Sequence, residues 1–424
     1  MQNRLRNSVR HLLCLLLGAA SLSAHAVDYS LSGFGTIGYA RSDQQDFYQR
    51  YINQDGGFKR DTLLGAQLNA QFDPEWSATI QAKLAPSTDS DQSVQATLTW
   101  AFVSYRPTDD WLLRAGKLRI PFYLNSENAD VGTTFVFARL PVEVYSTAAT
   151  VDFVGASFAK TWQIGEDELI LDGYWGMAND ASWRFYARDP GYPIPLTPDD
   201  EAGEFFVKLK TRSGGLRLSL NYGGNVFLAG IHVADTKPRD SPSLGPLTYV
   251  LGPNLGIGDY YIPAADTLKI TTTTSHAGAN VDLGYGFRTI GEYVRRRNNG
   301  STLAPDSKGY YLSLLKEMGD WTPYLTYASL TTKNRGLYQA VNSAQPLPSP
   351  LNAYQREFAD TIVVYDQHSW ALGTSYLLSS NSLVKAEWSV VQTGIASSFV
   401  DAAPGGDSGD LRINVFSLSY SFTF

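Results

Sequence analysis

The chain ends in FSLSYSFTF, residues 416–424, and these nine letters decide how the rest is read. Phe416, Leu418, Tyr420, Phe422 and Phe424 alternate with Ser417, Ser419, Ser421 and Thr423. Period-two alternation makes a β-strand with one apolar and one polar face. In a soluble sandwich the apolar face turns inward and a polar tail normally follows. A terminal ring fits better where the last strand pairs along its whole length and its apolar face meets something other than water. The choice between these settings rests on the remaining sequence.

The pattern recurs from end to end, and signs of helix are scarce. In residues 61–72, Leu64, Ala66, Leu68, Ala70 and Phe72 share one face, and Gly65, Gln67, Asn69 and Gln71 the other. Trp76, Ala78, Ile80, Ala82 and Leu84 oppose Ser77, Thr79, Gln81 and Lys83; Val384, Ala386, Trp388 and Val390 oppose Lys385, Glu387 and Ser389. The polar faces are wet, and no set of helices exists to cover the apolar ones. Connections alternate in length. Short turns (DPEW, PTDDW, RSGG, GDW, SSNS) take turns with long polar or Pro/Gly-rich loops such as RSDQQDFYQRYINQDGGFKR and RDPGYPIPLTPDDEAG. Short turns on one rim and long loops on the other are the signature of a transmembrane β-barrel. Lipid then covers the apolar face, and closure removes edges that a bilayer cannot satisfy.

The other end of the chain agrees. Arg4, Arg6 and Arg10 precede an apolar run over 12–20, and Ala24-His25-Ala26 is a small-x-small site. This order predicts a secretory signal peptide over 1–26, followed by one barrel domain over 27–424. Cys14, the only cysteine, lies in the apolar run, so the exported chain is expected to have no disulfide and no thiolate metal site. Removing 26 of 424 residues leaves 398. The 34 basic residues less those three arginines leave 31 against 41 acidic, a balance of −10. That balance argues against nucleic acid as a partner.

Sixteen strands are expected: 28–40, 62–72, 76–86, 95–106, 111–119, 150–162, 168–178, 204–212, 216–233, 267–284, 286–297, 308–318, 321–332, 367–379, 383–393 and 411–424. An even number suits a bacterial barrel. The alternation slips phase within 100–106 and near Val415–Phe416, where β-bulges are expected. Trp76, Trp111 and Trp321 each follow a short turn, as an aromatic girdle requires.

With these features in place, the chain resembles the Gram-negative outer-membrane porins, trimeric sixteen-stranded β-barrels. LSGFGTIGYA, FVSYRPTDDWLLRAGKLRIP and the terminal SYSFTF carry the likeness. The resemblance implies an all-β transmembrane antiparallel barrel with short periplasmic turns and long extracellular loops. The loop after the fifth strand, residues 121–146, would fold into the pore. It also implies a homotrimer in the outer membrane, passive diffusion of small hydrophilic solutes and ions, and no catalysis or cofactor. The terminal Tyr420, Phe422 and Phe424 would serve as the signal read by the outer-membrane assembly machinery.

On this reading the constriction draws on Arg114, Lys117 and Arg119 from the wall and on Glu127, Asp130, Arg139 and Glu143 from the loop. Alternation places Lys83, Lys208, Lys210, Arg212, Arg217, Arg288 and Lys385 in the lumen, against Asp172, Glu204, Asp282, Glu292 and Glu387. The excess of bases predicts a weak anion preference despite the acidic total. Arg295, Arg296 and Arg297, where a strand leaves the outer leaflet, are candidates for pairing with lipopolysaccharide phosphates. Three other readings stay open: a solute-specific outer-membrane channel, a purely adhesive or structural barrel, and an outer-membrane enzyme. For the last, His232, His276 and His368 show neither metal-ligand spacing nor a nucleophile motif.

Overall fold

The computed structural model describes residues 27–188, 202–343 and 349–424. Residues 1–26, the expected signal peptide, and most of the loop after residue 188 lie outside them.

Sixteen antiparallel strands form a closed ring. They are β1 (Asp28–Ser42), β2 (Leu63–Gln71), β3 (Trp76–Pro86), β4 (Val94–Thr108), β5 (Trp111–Arg119), β6 (Asp152–Ile164), β7 (Asp167–Ala187) and β8 (Gly203–Tyr222). The ring continues with β9 (Asn225–Pro238), β10 (Ile270–Gly284), β11 (Phe287–Asn298), β12 (Ser307–Lys316), β13 (Trp321–Thr332), β14 (Tyr365–Ser379), β15 (Ser382–Ser397) and β16 (Arg412–Thr423). Each strand pairs with its sequence neighbours, and β1 closes on β16 from Phe34 opposite Thr423 to Ser42 opposite Val415. Gly33 N–H donates to Phe424 O at 2.8 Å and Phe424 N–H to Gly33 O at 3.0 Å. The terminal ring is therefore locked into the seam.

The outward face carries the apolar alternation. Leu64, Leu68, Ile80, Leu98, Leu218, Leu312, Leu314, Leu372, Trp388, Phe416 and Leu418 are all exposed on the barrel wall. Lipid must cover them, at about 1.5–3 kcal/mol for each large side chain removed from water. Trp76 stacks on Tyr105 and Trp321 packs on Tyr376 at the short-turn rim, with ring centroids 4.4 and 4.6 Å apart. This is a transmembrane barrel. Among the described residues no helix is long and apolar enough to cross a membrane.

Three expectations need correction. RSGG is no turn, because β8 runs unbroken through Ser213-Gly214-Gly215. These glycines make room instead: a Cβ on Gly214 would meet the Trp175 ring at 2.6 Å, and one on Gly215 would collide with His232. The turn lies at Gly223-Gly224, whose positive φ angles of 56° and 77° suit a tight hairpin. With β8 continuous, Lys210 and Arg212 share the outward face of Leu216 and Leu218 rather than lining the lumen. Lys208 and Glu204 lie on the same side of the strand. Lumen-side Val207 and Leu209 instead pack with Leu244, Ile270 and Leu303. Above the lipid belt, loops folded over the mouth supply an apolar interior, so the polar face there points outward.

The third correction concerns phase. Thr99 bulges between Leu98 and Trp100, and the ladder shifts again after Tyr105. Near Val415, however, the register is regular on both sides. Val415 is an inward residue in an apolar cluster with Ala40, Tyr48, Ile52 and Ile413 at the long-loop end.

Candidate pore constriction

Residues 120–151, between β5 and β6, turn into the barrel and pack across it. Their apolar side chains build a core inside the lumen: Ile120, Phe122, Tyr123, Phe137 and Val144 meet Ile290, Val294, Tyr311, Leu315, Tyr324 and Ala328 from β11 to β13. A short helix, α1 (Val142–Tyr145), lies within the loop. Polar anchors fix its path. Glu292 on β11 accepts from Leu124 N–H at 2.9 Å and from the Tyr145 and Tyr311 hydroxyls at 2.7 and 2.8 Å. Lys385 on β15 donates to the carbonyls of Gly132 (2.5 Å) and Phe137 (3.0 Å), and its ammonium sits 4.1 Å from the Phe135 ring centroid. Ala138 N–H donates to the Tyr324 hydroxyl, which in turn donates to Glu387. Gly132 presses against the β1–β16 seam, where a Cβ would stand 2.7 Å from Thr36 Oγ1 and overlap Ser421 Oγ.

The loop is thus tied to the β11–β16 side, and open space remains toward β3 and β5. A cavity of about 740 Å³ on the long-loop side and one of about 400 Å³ beside the loop share Lys83 and Arg119. A third, of about 70 Å³, extends past Arg114, Glu127 and Asp172 and again includes Arg119. Three cavities converge on one guanidinium.

Around that point, Lys83 Nζ donates to Asp130 Oδ1 at 2.7 Å and Arg119 pairs with Asp130 Oδ2. One carboxylate therefore serves two cations. Burial opposes ionisation of Asp130, but Arg119 and Lys83 outweigh it and hold the carboxyl below the ordinary carboxylate range. The pattern repeats on the loop's far flank, where Asp61 pairs with Arg139 and lies beside Arg60. Burial again works against the charge, and Arg139 again more than offsets it. Below, Arg114 and Arg217 stand 3.7 Å from Glu127, and Arg217 is 2.8 Å from Asp172, so that group is balanced.

The remaining expected residues divide. Arg288 faces inward near the short-turn rim, 3.4 Å from Glu317 and 3.8 Å from Asp282. Lys117 stands across the ladder from exposed Val154 and pairs with Asp152 at 3.2 Å, away from the Asp130 group. Glu143 does not line a pore. It is buried on α1 and accepts from Gln367 (3.0 Å) and Ser369 (2.8 Å), with burial raising its pKa. Lys385 points inward but is covered by the loop it anchors.

Sequence reading missed two groups. His232 and His276 meet across neighbouring strands with Nε2 atoms 2.9 Å apart, against the Phe122 ring. At the mouth, Arg184 bonds Asp401 through both terminal nitrogens (2.8 and 2.6 Å) and Asp91 through Nε (2.7 Å). Arg184 is on β7 and Asp401 lies just beyond the end of β15, eight strands away in the ring, so this cluster ties opposite walls together. Neither proximity leaves a spacing in the sequence.

No protein-family model and no curated protein matches the chain. Solved structures do. OmpT folded in vitro, an outer-membrane protein of Vibrio cholerae, aligns over 96% of this chain and 100% of that one, with a TM-score of 0.51 and 12% identity. An anion-selective porin from Comamonas acidovorans aligns over 94% and 100%, with a TM-score of 0.49 and 12% identity. OprB of Pseudomonas putida aligns over 94% of each, at 0.49 and 9%. The likeness is one of fold alone: a closed antiparallel β-barrel like that of an outer-membrane protein.

Proposed function

We propose that this chain forms a water-filled channel in the bacterial outer membrane, through which small hydrophilic solutes and ions diffuse with a weak preference for anions. A sixteen-stranded barrel is wide enough for an aqueous lumen, and an inserted loop sets the narrowest section. One observation carries the reading. The cavities meet where Lys83 and Arg119 share the single carboxylate of Asp130. Ions respond to the wall they pass, not to the chain's net charge, because distant acids are screened within about 8 Å. A surplus cation at the meeting point favours anions. Assembly as a homotrimer, contact of Arg295 and Arg297 with lipopolysaccharide, and insertion by the assembly machinery through Tyr420, Phe422 and Phe424 belong to the same proposal. Arg296, between those two arginines, points inward instead.

The enzyme alternative finds little support. His232 and His276 face each other, Tyr174 and Phe122, while His368 lies beside Tyr327. The reversal potential in a KCl gradient across a planar bilayer tests the charge preference. The proposal expects a chloride-side potential, and a clear potassium-side potential overturns it.

A further inference from the structure

Arg296 is a half-buried guanidinium without a counter-ion among the described residues. It sits on the lumen face of β11, opposite Thr274 on β10 and Ser307 on β12, neighbours that offer hydroxyls and no carboxylate. Tyr123 and Tyr365 lie near it. Its Nε has no hydrogen-bond partner and no access to solvent, and among the described residues no carboxylate oxygen lies within 4 Å of its nitrogens. The side chain nevertheless borders the cavity of about 740 Å³ above the loop.

The other cations of that cavity make Arg296 stand out. Seven Lys and Arg side chains line it, and five of them have a carboxylate within 4 Å. The sixth, Lys208, is exposed to water, which stabilises its charge. Among the described residues, Arg296 alone of the seven is both partly buried and unpaired. A partly buried charge gains from a partner of opposite sign.

We infer that Arg296 anchors a subsite for a small monocarboxylate with an apolar body. The inference rests on the channel reading and names a class of solute that would dwell there. A planar guanidinium matches a carboxylate with two parallel N–H···O bonds. The wall of the same cavity carries Leu303, Leu330, Val363 and Trp183, besides the hydroxyls of Ser307, Thr332 and Tyr365. Its apolar part accepts a hydrocarbon body, which sulfate and phosphate lack. Occupation by the carboxylate would satisfy the lone cation, and release would return the solute to the lumen.

Hexanoate is the probe, with hexanamide and sulfate as comparators. In planar bilayers, hexanoate should lower the KCl current of single channels saturably, hexanamide and sulfate should not, and Arg296→Met should raise the half-blocking concentration about tenfold or more. Arg296→Lys should restore part of the effect. Trp183 borders the same cavity, so fluorescence of micellar protein titrated with hexanoate gives a second readout independent of current. Absence of KCl steps refutes the channel reading. Normal KCl steps with equal hexanoate block in wild type and Arg296→Met, or no saturable effect by either readout, overturn the subsite alone.

Discussion

Replacing Asp130 by Asn removes the one carboxylate shared by Lys83 and Arg119 and leaves both cations at the junction of the cavities. The change is one unit of wall charge. An ion passing at about 5 Å interacts with it by about 0.8 kcal/mol in water, and screening over a Debye length of about 8 Å reduces this to roughly 0.4 kcal/mol. The sign is opposite for chloride and potassium, so each changes about twofold and their permeability ratio about fourfold in favour of chloride. Reversal potentials of wild type and variant in the same KCl gradient measure it. The pH dependence supplies an internal control. The Asp130 pKa is depressed, so its charge is complete above the ordinary carboxylate value of about 4 and is lost only as pH falls through the lower folded value. Wild type should therefore hold its potential steady above about pH 4 and approach the variant only in stronger acid. An unmoved potential, or one displaced toward potassium, refutes the assignment of Asp130 to the conduction path.

Further outcomes follow from the anchors. Gly132→Val should push the loop off the β1–β16 seam, because even a Cβ would stand 2.7 Å from Thr36 Oγ1; larger, noisier single-channel steps are expected, and unchanged steps would show that the seam contact is dispensable. Glu143→Ala should lower barrel stability by about 1–3 kcal/mol, since Gln367 and Ser369 lose their acceptor, whereas Glu143→Gln keeps an acceptor and should cost less. Burial raises the Glu143 pKa, so wild-type thermal stability should decline as pH rises through that raised value, and the Gln variant should lose this slope. Phe424→Asp places a charge on the lipid face of the closing strand; heat-modifiable barrel should fall and unassembled protein should accumulate in the periplasm, as a membrane-fraction immunoblot would show.

Strand periodicity was legible because lipid and water impose it on every residue within the belt. Fourteen strands fall near their expected places, the boundary between β8 and β9 is displaced from the expected RSGG to Gly223-Gly224, and the girdle tryptophans sit where short turns put them. Legibility ended where that solvent contrast ends. At Lys208, Lys210 and Arg212 the strand has risen past the belt into loop-packed space, and the face rule reverses. Gly214 and Gly215 resemble a turn in sequence but are clearance for two rings from other strands. The pairing of Asp130 with Lys83 and Arg119, and that of Arg184 with Asp401, depend on how loops cross the lumen. No local pattern records it. Glu143 misled for a related reason: a charged loop residue reads as wet until the fold shows it buried against β14.

The most direct test of the central claim is solute entry. Purified, heat-modifiable barrel reconstituted into liposomes should make them swell in an isosmotic solution of a small neutral sugar such as arabinose, and swelling should slow as the sugar grows. Liposomes carrying folded protein that shrink and stay shrunken in arabinose, as protein-free vesicles do, would contradict the account.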